Sequence, residues 1–310
     1  MEDHDPALSA DLALLTDAVA RWQALVRARR EQFERLRVEP ADPGAYWRTR
    51  SRNYYAAVRQ RTGPDPFVRA VLDACREAES QGARWATGAE PPPATVLDVG
   101  GGFGAVAVPV ALSGRRVTVV EPHPSMVELL GEWATEVGVS DRVGVVQEPW
   151  PLAAPMGEQH DVVVCSHVLY PIEDVVPFVR ALVASARRGL LITLRLAGIE
   201  QAPAELFREL HGEDRVPQPG FADLCAVLLQ QGLSFESSTY ETETTWSYVD
   251  LDEAETVLAE SLLVAGRPEA LARIRAWASE ALIDEGGRLS TGHRRSMAGI
   301  ATLVPQPTRS

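Results

Sequence analysis

The stretch Val96-Leu-Asp-Val-Gly-Gly-Gly-Phe-Gly-Ala105 constrains the fold more than any other part of this chain. A short apolar run leads into glycines at 100, 101, 102 and 104 and then into residues of helical pattern. Glycines at such a junction let the backbone approach a ligand closely and aim amide groups at it. A strand, a glycine turn and a helix in that order predict an α/β fold with a binding site at the strand's carboxyl end.

The rest of the chain agrees with that reading. From Ala94 onward, short apolar runs alternate with amphipathic stretches, as in a mostly parallel sheet. The expected strands are 95–99, 116–121, 142–146, 161–166 and 190–195, with helices between them, followed by a polar stretch over 196–220. A helix over 221–231, closed by Gly232, precedes 235–248, where Thr, Ser and Glu alternate with Tyr and Trp as on an exposed strand. Residues 251–285 read as a helical insertion, and an apolar strand over 297–304 completes the pattern.

Residues 1–88 read as helix. Asp5 and Pro6 supply a cap and a first-turn proline, and Leu8, Leu12, Leu15, Val19, Trp22, Val26, Phe33 and Leu36 recur every three or four residues, interrupted only by Arg29. Such a stripe either docks on its own domain or offers a homodimerisation surface. A second stretch carries Tyr46, Trp47, Tyr54 and Tyr55; a third starts at Asp65 and Pro66 and buries Phe67, Val71, Leu72 and Cys75. Prolines 91–93 mark a boundary, so the expected division is a helical cap or dimerisation region over 1–88 and a ligand-binding domain over 89–310.

Charge narrows the function classes. The 43 acidic residues against 30 basic ones leave a formal charge of -13, which repels a phosphate backbone and makes nucleic acid an unexpected partner. Every basic residue other than histidine is Arg, so mechanisms that need a Lys, as a Schiff base or in a phosphate loop, are excluded. Cys75, Cys165 and Cys225 are odd in number and far apart, suggesting neither a disulfide framework nor a metal site. No run of about 18 apolar residues occurs, and Met1 to Asp5 is acidic, so a cytoplasmic protein with no membrane partner is expected.

Two cofactors compete for the glycine turn. Gly100-x-Gly102-x-x-Ala105 satisfies the spacing of a dinucleotide fingerprint, and Glu121, 19 residues after Gly102, can accept hydrogen bonds from both hydroxyls of a ribose. Asp98 argues against the dinucleotide, because a carboxylate two residues before the first glycine faces a pyrophosphate badly and suits a cationic ligand.

Three segments together, Val96 to Gly104, Val119-Val-Glu-Pro122 and Asp161-Val-Val-Val-Cys-Ser-His-Val-Leu-Tyr170, resemble the class I methyltransferases that depend on S-adenosylmethionine. The resemblance covers roughly residues 45 to 245 and the last strand. It implies a Rossmann-like, seven-stranded, mostly parallel sheet whose last strand is antiparallel, here with an N-terminal helical cap. It assigns Asp98, Gly100 and Gly102 to the methionine part of the cofactor, Glu121 to its ribose and Met126 to the adenine ring. For the adenine amino group the pattern departs from the family, because Gln147-Glu-Pro-Trp150 leaves either Gln147 or Glu148 to serve, with Trp150 beside them. The aromatic group that includes Tyr55 resembles an N-terminal segment that closes over the cofactor, where a ring can hold a sulfonium by cation-π attraction.

The fourth strand delivers His167 and Tyr170 to the carboxyl edge of the sheet. His167 is the candidate general base, since imidazole titrates near neutrality, and Tyr170 is a candidate pocket residue. The implied activity is methyl transfer to a small molecule, a secondary metabolite included, by in-line displacement, which depends on alignment more than on a catalytic triad. The competing readings are an NAD(P)-dependent oxidoreductase and a non-catalytic module that binds S-adenosylmethionine. The acceptor, and whether O, N, C or S receives the methyl group, are not specified by the sequence.

Overall fold

Strands rich in β-branched residues and helices with one apolar stripe have to cover each other's faces, and the order of elements here allows one economical way to do so. The computed structural model describes residues 17–37, 51–52, 55–56, 58–59, 63, 65–83, 92–152, 158–197, 202–244, 246–292 and 294–305. Its helices are α1 Ala18–Leu36, α2 Pro66–Ala83, α3 Ala107–Leu112, α4 Pro124–Glu136, α5 Val175–Ser185, α6 Ala204–His211, α7 Phe221–Gln230, α8 Leu251–Ser261 and α9 Pro268–Ala281. The strands are β1 Thr95–Val99, β2 Arg116–Val120, β3 Val143–Val146, β4 His160–Ser166, β5 Ala186–Arg195, β6 Glu236–Thr244, β7 Ser247–Tyr248, β8 Ile283–Asp284, β9 Leu289–Ser290 and β10 Arg294–Leu303.

Seven strands form one sheet in the order β3-β2-β1-β4-β5-β10-β6. The first five are mutually parallel, and β10 runs antiparallel to both β5 and β6. The expected mostly parallel sheet with an antiparallel last strand is therefore the observed one. The chain leaves β1 toward β2 and β3 on one side and returns to place β4 on the other, which opens a crevice between the carboxyl ends of β1 and β4.

Helices cover both faces. On one side, α1, α5 and α7 pack with Leu97, Val163, Leu190 and Ile192; on the other, α2, α3 and α4 pack with Val96, Val119 and Val162. A third core joins α6, α8 and α9 around Phe207, Leu258 and Ile274, beside the small sheet β7-β9-β8. Among the described residues, no helix is long and apolar enough to cross a membrane.

Three details depart from the expectation. The tract over 251–285 is two helices, broken where Leu263 and Gly266 take positive φ and Pro268 starts α9, and its end leaves the helix as β8. The polar stretch 196–220 contains α6, whose buried face is only Leu206 and Phe207 and whose end is closed by Gly212 at φ 71°. The last strand begins at Arg294, where its backbone continues to pair with β6, although its charge hides it from an apolar count. Leu8, Leu12, Leu15, Tyr46, Trp47 and Tyr54 lie outside the described residues.

Helix α1 is capped by Asp17, whose carboxylate accepts from the Ala20 amide at 3.0 Å. It buries Trp22 and Val26, and also Arg29 and Gln32. The last two remain on the buried stripe because their polar ends are satisfied. Gln32 donates to the Asp214 carbonyl and accepts from the Val216 amide, both at 2.8 Å, and Arg29 donates to the Val216 carbonyl. The Trp22 indole N–H donates to the Ile172 carbonyl at 2.7 Å, tying α1 to the loop that follows β4. Trp22→Ala removes a fully buried ring and that donor together, so unfolding in denaturant should register a loss of about 3–5 kcal/mol. A loss below about 1 kcal/mol would show that α1 is not part of the cooperative fold.

Candidate functional site

β1 lies between β2 and β4, with helices on both faces, so Val96 to Val99 are all buried and Asp98 is buried with them. The strand ends at Gly100, at φ 69°, whose amide donates to the Val120 carbonyl at 2.8 Å. A Cβ at Gly100 would lie 2.4 Å from Val168, and one at Gly101 would lie 2.7 Å from the Asp98 carboxylate. Glycine is required at both positions for space, and at Gly100 for backbone angle as well. At Gly102 a Cβ would meet only the Met126 sulfur, at 3.9 Å, so that side of the turn is open. The opening leads to a cavity of about 500 Å³ that spans the crevice.

Two carboxylates stand at this end. Asp98 is 1% exposed, and neither of its oxygens has a hydrogen-bond partner. Burial, with the Glu121 charge second, pushes its carboxyl up to about 7, and the nearby Ala107 amide, outside hydrogen-bonding geometry, offsets only part of this. Glu121, just past β2, is also raised by burial, but its two oxygens accept the Gly102 amide at 3.0 Å and the His123 amide at 2.9 Å. Met126 packs with Phe103 and Leu129 and lines the cavity.

The other end is built from the carboxyl edges of β4, β5 and β6. His167 takes φ 59°, a left-handed angle that costs a non-glycine residue roughly 1–2 kcal/mol, and its amide is pinned to the Thr193 carbonyl at 2.9 Å. Its Nδ1 lies 3.0 Å from the Tyr170 hydroxyl, with the two rings stacked at 6.2 Å. The Tyr170 oxygen also accepts the Arg195 amide at 2.9 Å, and burial holds its phenol well above the usual range. The Thr193 hydroxyl donates to the Gly299 carbonyl at 2.9 Å and pairs with the Tyr240 hydroxyl at 3.1 Å.

Of the residues singled out in the sequence, Asp98, Gly100, Gly102, Glu121, Met126, Trp150 and His167 all line the cavity. Tyr170 stands behind His167. Trp150 donates its indole N–H to the Phe178 carbonyl at 3.3 Å. Glu148 and Gln147 are exposed and are not in the cavity wall. Tyr55 stacks edge-on against Phe103 and Trp133, with its ring beneath the Arg59 guanidinium, and is not itself in the cavity wall. Sequence reasoning missed Arg195, Tyr240 and Thr242, which line the far end. Arg195 was legible in principle, as the last residue of a parallel strand at the ligand-binding edge. No group of three or more metal-binding side chains occurs among the described residues.

Residues 97–193 match the methyltransferase domain family. A ubiquinone biosynthesis O-methyltransferase of Methylobacterium sp. (strain 4-46) is 33% identical over 95 residues, covering 31% of this chain and 37% of that protein. A ubiquinone biosynthesis O-methyltransferase of Methylobacterium nodulans is 27% identical over 158 residues, covering 47% of this chain and 61% of that one. The match thus spans between about a third and three-fifths of these relatives. Among solved structures, the chain is similar to magnesium protoporphyrin IX methyltransferase from Synechocystis PCC 6803 with bound SAH, at 16% identity and a TM-score of 0.48, covering 85% of this chain and 97% of that one.

The raised Asp98 carboxyl makes a stability prediction with a definite sign. A carboxyl lifted from 3.8 to about 7 binds its proton more tightly in the folded chain, so folding is penalised increasingly as pH rises through that window and by a constant amount above it. Asp98→Asn should therefore stabilise the ligand-free protein at pH 8, by on the order of 1–4 kcal/mol, and change little near pH 4. Thermal denaturation at the two pH values checks this; an equal effect at both would mean that packing, not charge, governs the site.

Proposed function

We propose, from the match of residues 97–193 to the methyltransferase domain family, that this protein transfers a methyl group from S-adenosylmethionine to a small-molecule acceptor by in-line displacement. The observation that carries the reading is the buried Asp98 carboxylate, without a partner, beneath a glycine turn that opens inward only at Gly102. Such a site attracts a cation and repels a pyrophosphate. The nicotinamide alternative has only the glycine spacing behind it, and no observation favours a non-catalytic module.

S-adenosylmethionine, when bound, supplies a methyl carbon made electrophilic by its sulfonium. Asp98 provides the anionic end for the methionine part, with the amides of the 100–104 turn around it. Glu121 spends one lone pair of each oxygen on a backbone amide and keeps the others for ribose hydroxyls. Met126 offers an apolar face to the adenine, and Trp150, with Glu148 at the rim outside it, borders the same end. Tyr55 supports that wall from behind Phe103.

At the acceptor end, His167 takes the proton that leaves the nucleophile. For its Nε2 to accept that proton, Nδ1 must carry the other hydrogen and donate it to the Tyr170 oxygen 3.0 Å away. Tyr170 thereby sets the tautomer and the ring orientation.

The N-terminal helices act as a cap on this end, since Trp22 holds Ile172, a residue of the cavity wall. A homodimer through these helices would use surface other than Trp22 and Val26, which α5 and α7 already cover. The acidic excess disfavours a nucleic-acid acceptor, and the reading assigns the protein to the cytoplasm.

Glu121→Ala should weaken S-adenosylhomocysteine binding about 10- to 150-fold by calorimetry, the value of charge-assisted hydrogen bonds to two hydroxyls. Tight NADH binding by the wild type, or unchanged affinity in a folded variant, would overturn the cofactor assignment. His167→Asn, a residue that tolerates the same left-handed backbone, should lower turnover by about 100-fold or more while leaving cofactor affinity nearly unchanged. The wild type should lose activity at low pH with an apparent ionisation that is missing in the variant. A rate that is flat across the range where histidine titrates would remove the base and leave alignment alone as the source of catalysis.

A further inference from the structure

The cavity is electrically polarised. Its β1 and β2 end presents Asp98 and Glu121, and Asp65 lines it as well. The β5 and β6 end presents Arg195, which is the sole Lys or Arg among the described residues of the wall. Resting on the methyl-transfer reading, we propose that Arg195 anchors an oxyanion of the acceptor, so that the substrates are small acids carrying a carboxylate beside the group that is methylated.

Arg195 is the last residue of β5, and its partners are neutral. One terminal nitrogen donates to the Ser296 hydroxyl, while Nε is shielded from solvent and meets no acceptor. Among the described residues no carboxylate lies within ion-pair distance of it, whereas Arg27, Arg30, Arg35, Arg115 and Arg187 each have one. Arg195 is part-buried, so its Nε and part of the fork are shielded while no counter-ion is supplied, and that planar fork matches a carboxylate. An acid in the cavity supplies what the fold leaves out.

The sheet register leaves room for it. Arg195 pairs with Ala298 of β10, and Ala298 pairs with Tyr240 of β6, so the three side chains stand in one row on the same face. The middle member is a single methyl group, buried, between two long side chains that both line the cavity. Thr242, two residues along β6 and on the same face, adds a hydroxyl to the wall.

The Tyr170 oxygen accepts the Arg195 amide and pairs with the His167 ring, so one phenol holds the anion end in register with the proposed base. Arg195 and His167 both line the one cavity.

The test uses the full chain and a matched pair of probes, benzoate and its neutral analogue benzamide, titrated by calorimetry with and without saturating S-adenosylhomocysteine. The wild type should prefer benzoate by about tenfold or more, as expected for one charge-assisted pair. Arg195→Gln should abolish that preference, and Arg195→Lys should keep most of it. Both variants should melt within a few degrees of the wild type and bind S-adenosylhomocysteine with unchanged affinity. Equal binding of the two probes by the wild type, no benzoate binding at all, or a preference that survives Arg195→Gln overturns the proposal. Failure of S-adenosylhomocysteine to bind the wild type would instead sink the methyl-transfer reading, and the benzoate preference measured without it still decides the role of Arg195.

Discussion

A carboxylate held out of water at the end of the central strand is the constraint around which this structure is arranged. Asp98 could be relieved by a counter-ion or a well-placed donor, and only the Ala107 amide, outside hydrogen-bonding geometry, lies near: the turn above it is glycine, and Val119 and Val164 are the residues paired with it on β2 and β4. The turn must pass close over the carboxylate, which is why a side chain at Gly101 would collide with it. Such a group is destabilising by itself. It persists because β1 is anchored by two large cores, one on each face of the sheet. Stability is thus concentrated in the layers beside the site and forgone at the site, a common division in proteins that bind ligands.

The two ends of the cavity are stabilised by different means. The glycine end is fixed by backbone hydrogen bonds within β1, β2 and the turn, all close in sequence. The far end is built from loops and from strands distant in sequence, and it is braced from outside. Helix α1 grips the loop after β4 through Trp22 and the loop after α6 through Arg29 and Gln32. The exposed ion pairs of Arg27 and Arg30 with Glu173 add little beside these contacts, since partly exposed pairs contribute roughly 0–1 kcal/mol. The buried tryptophan therefore has more influence on the placement of the loop after β4 than the more numerous surface charges.

How much of this was legible follows from the range of the signals. The strand Thr95–Val99, the glycine turn and Glu121 are encoded locally, by apolar runs and glycines within about thirty residues, and each appears where the pattern puts it. The five parallel strands were legible for the same reason. The insertion was harder to read, because a chain break inside a uniformly helical composition depends on Gly266 and Pro268, while the pairing of β8 with β9 is tertiary. Arg29 interrupts the apolar stripe of α1 in the sequence yet is buried with it, because its partner at Val216 is far along the chain. Glu148 reads well beside the third strand but projects to solvent after it, and no local pattern reports the direction in which a loop turns. Arg195 and Tyr240 share a site only through their common neighbour Ala298, a pairing that spans three strands.

The phenol of Tyr170 connects the loop after β4 with the end of β5. Its oxygen accepts the Arg195 amide permanently, as part of the backbone of β5, which leaves one further lone pair and its own hydrogen. The contact between that oxygen and Nδ1 of His167 can be made with either group as the donor. On the reading that makes His167 a base, Nδ1 carries the hydrogen and the phenol accepts it with its second lone pair, so that Nε2 faces the cavity side of the chemistry unprotonated. Burial keeps the phenol from ionising, so Tyr170 acts as a neutral group that joins the backbone of β5 to the ring of His167.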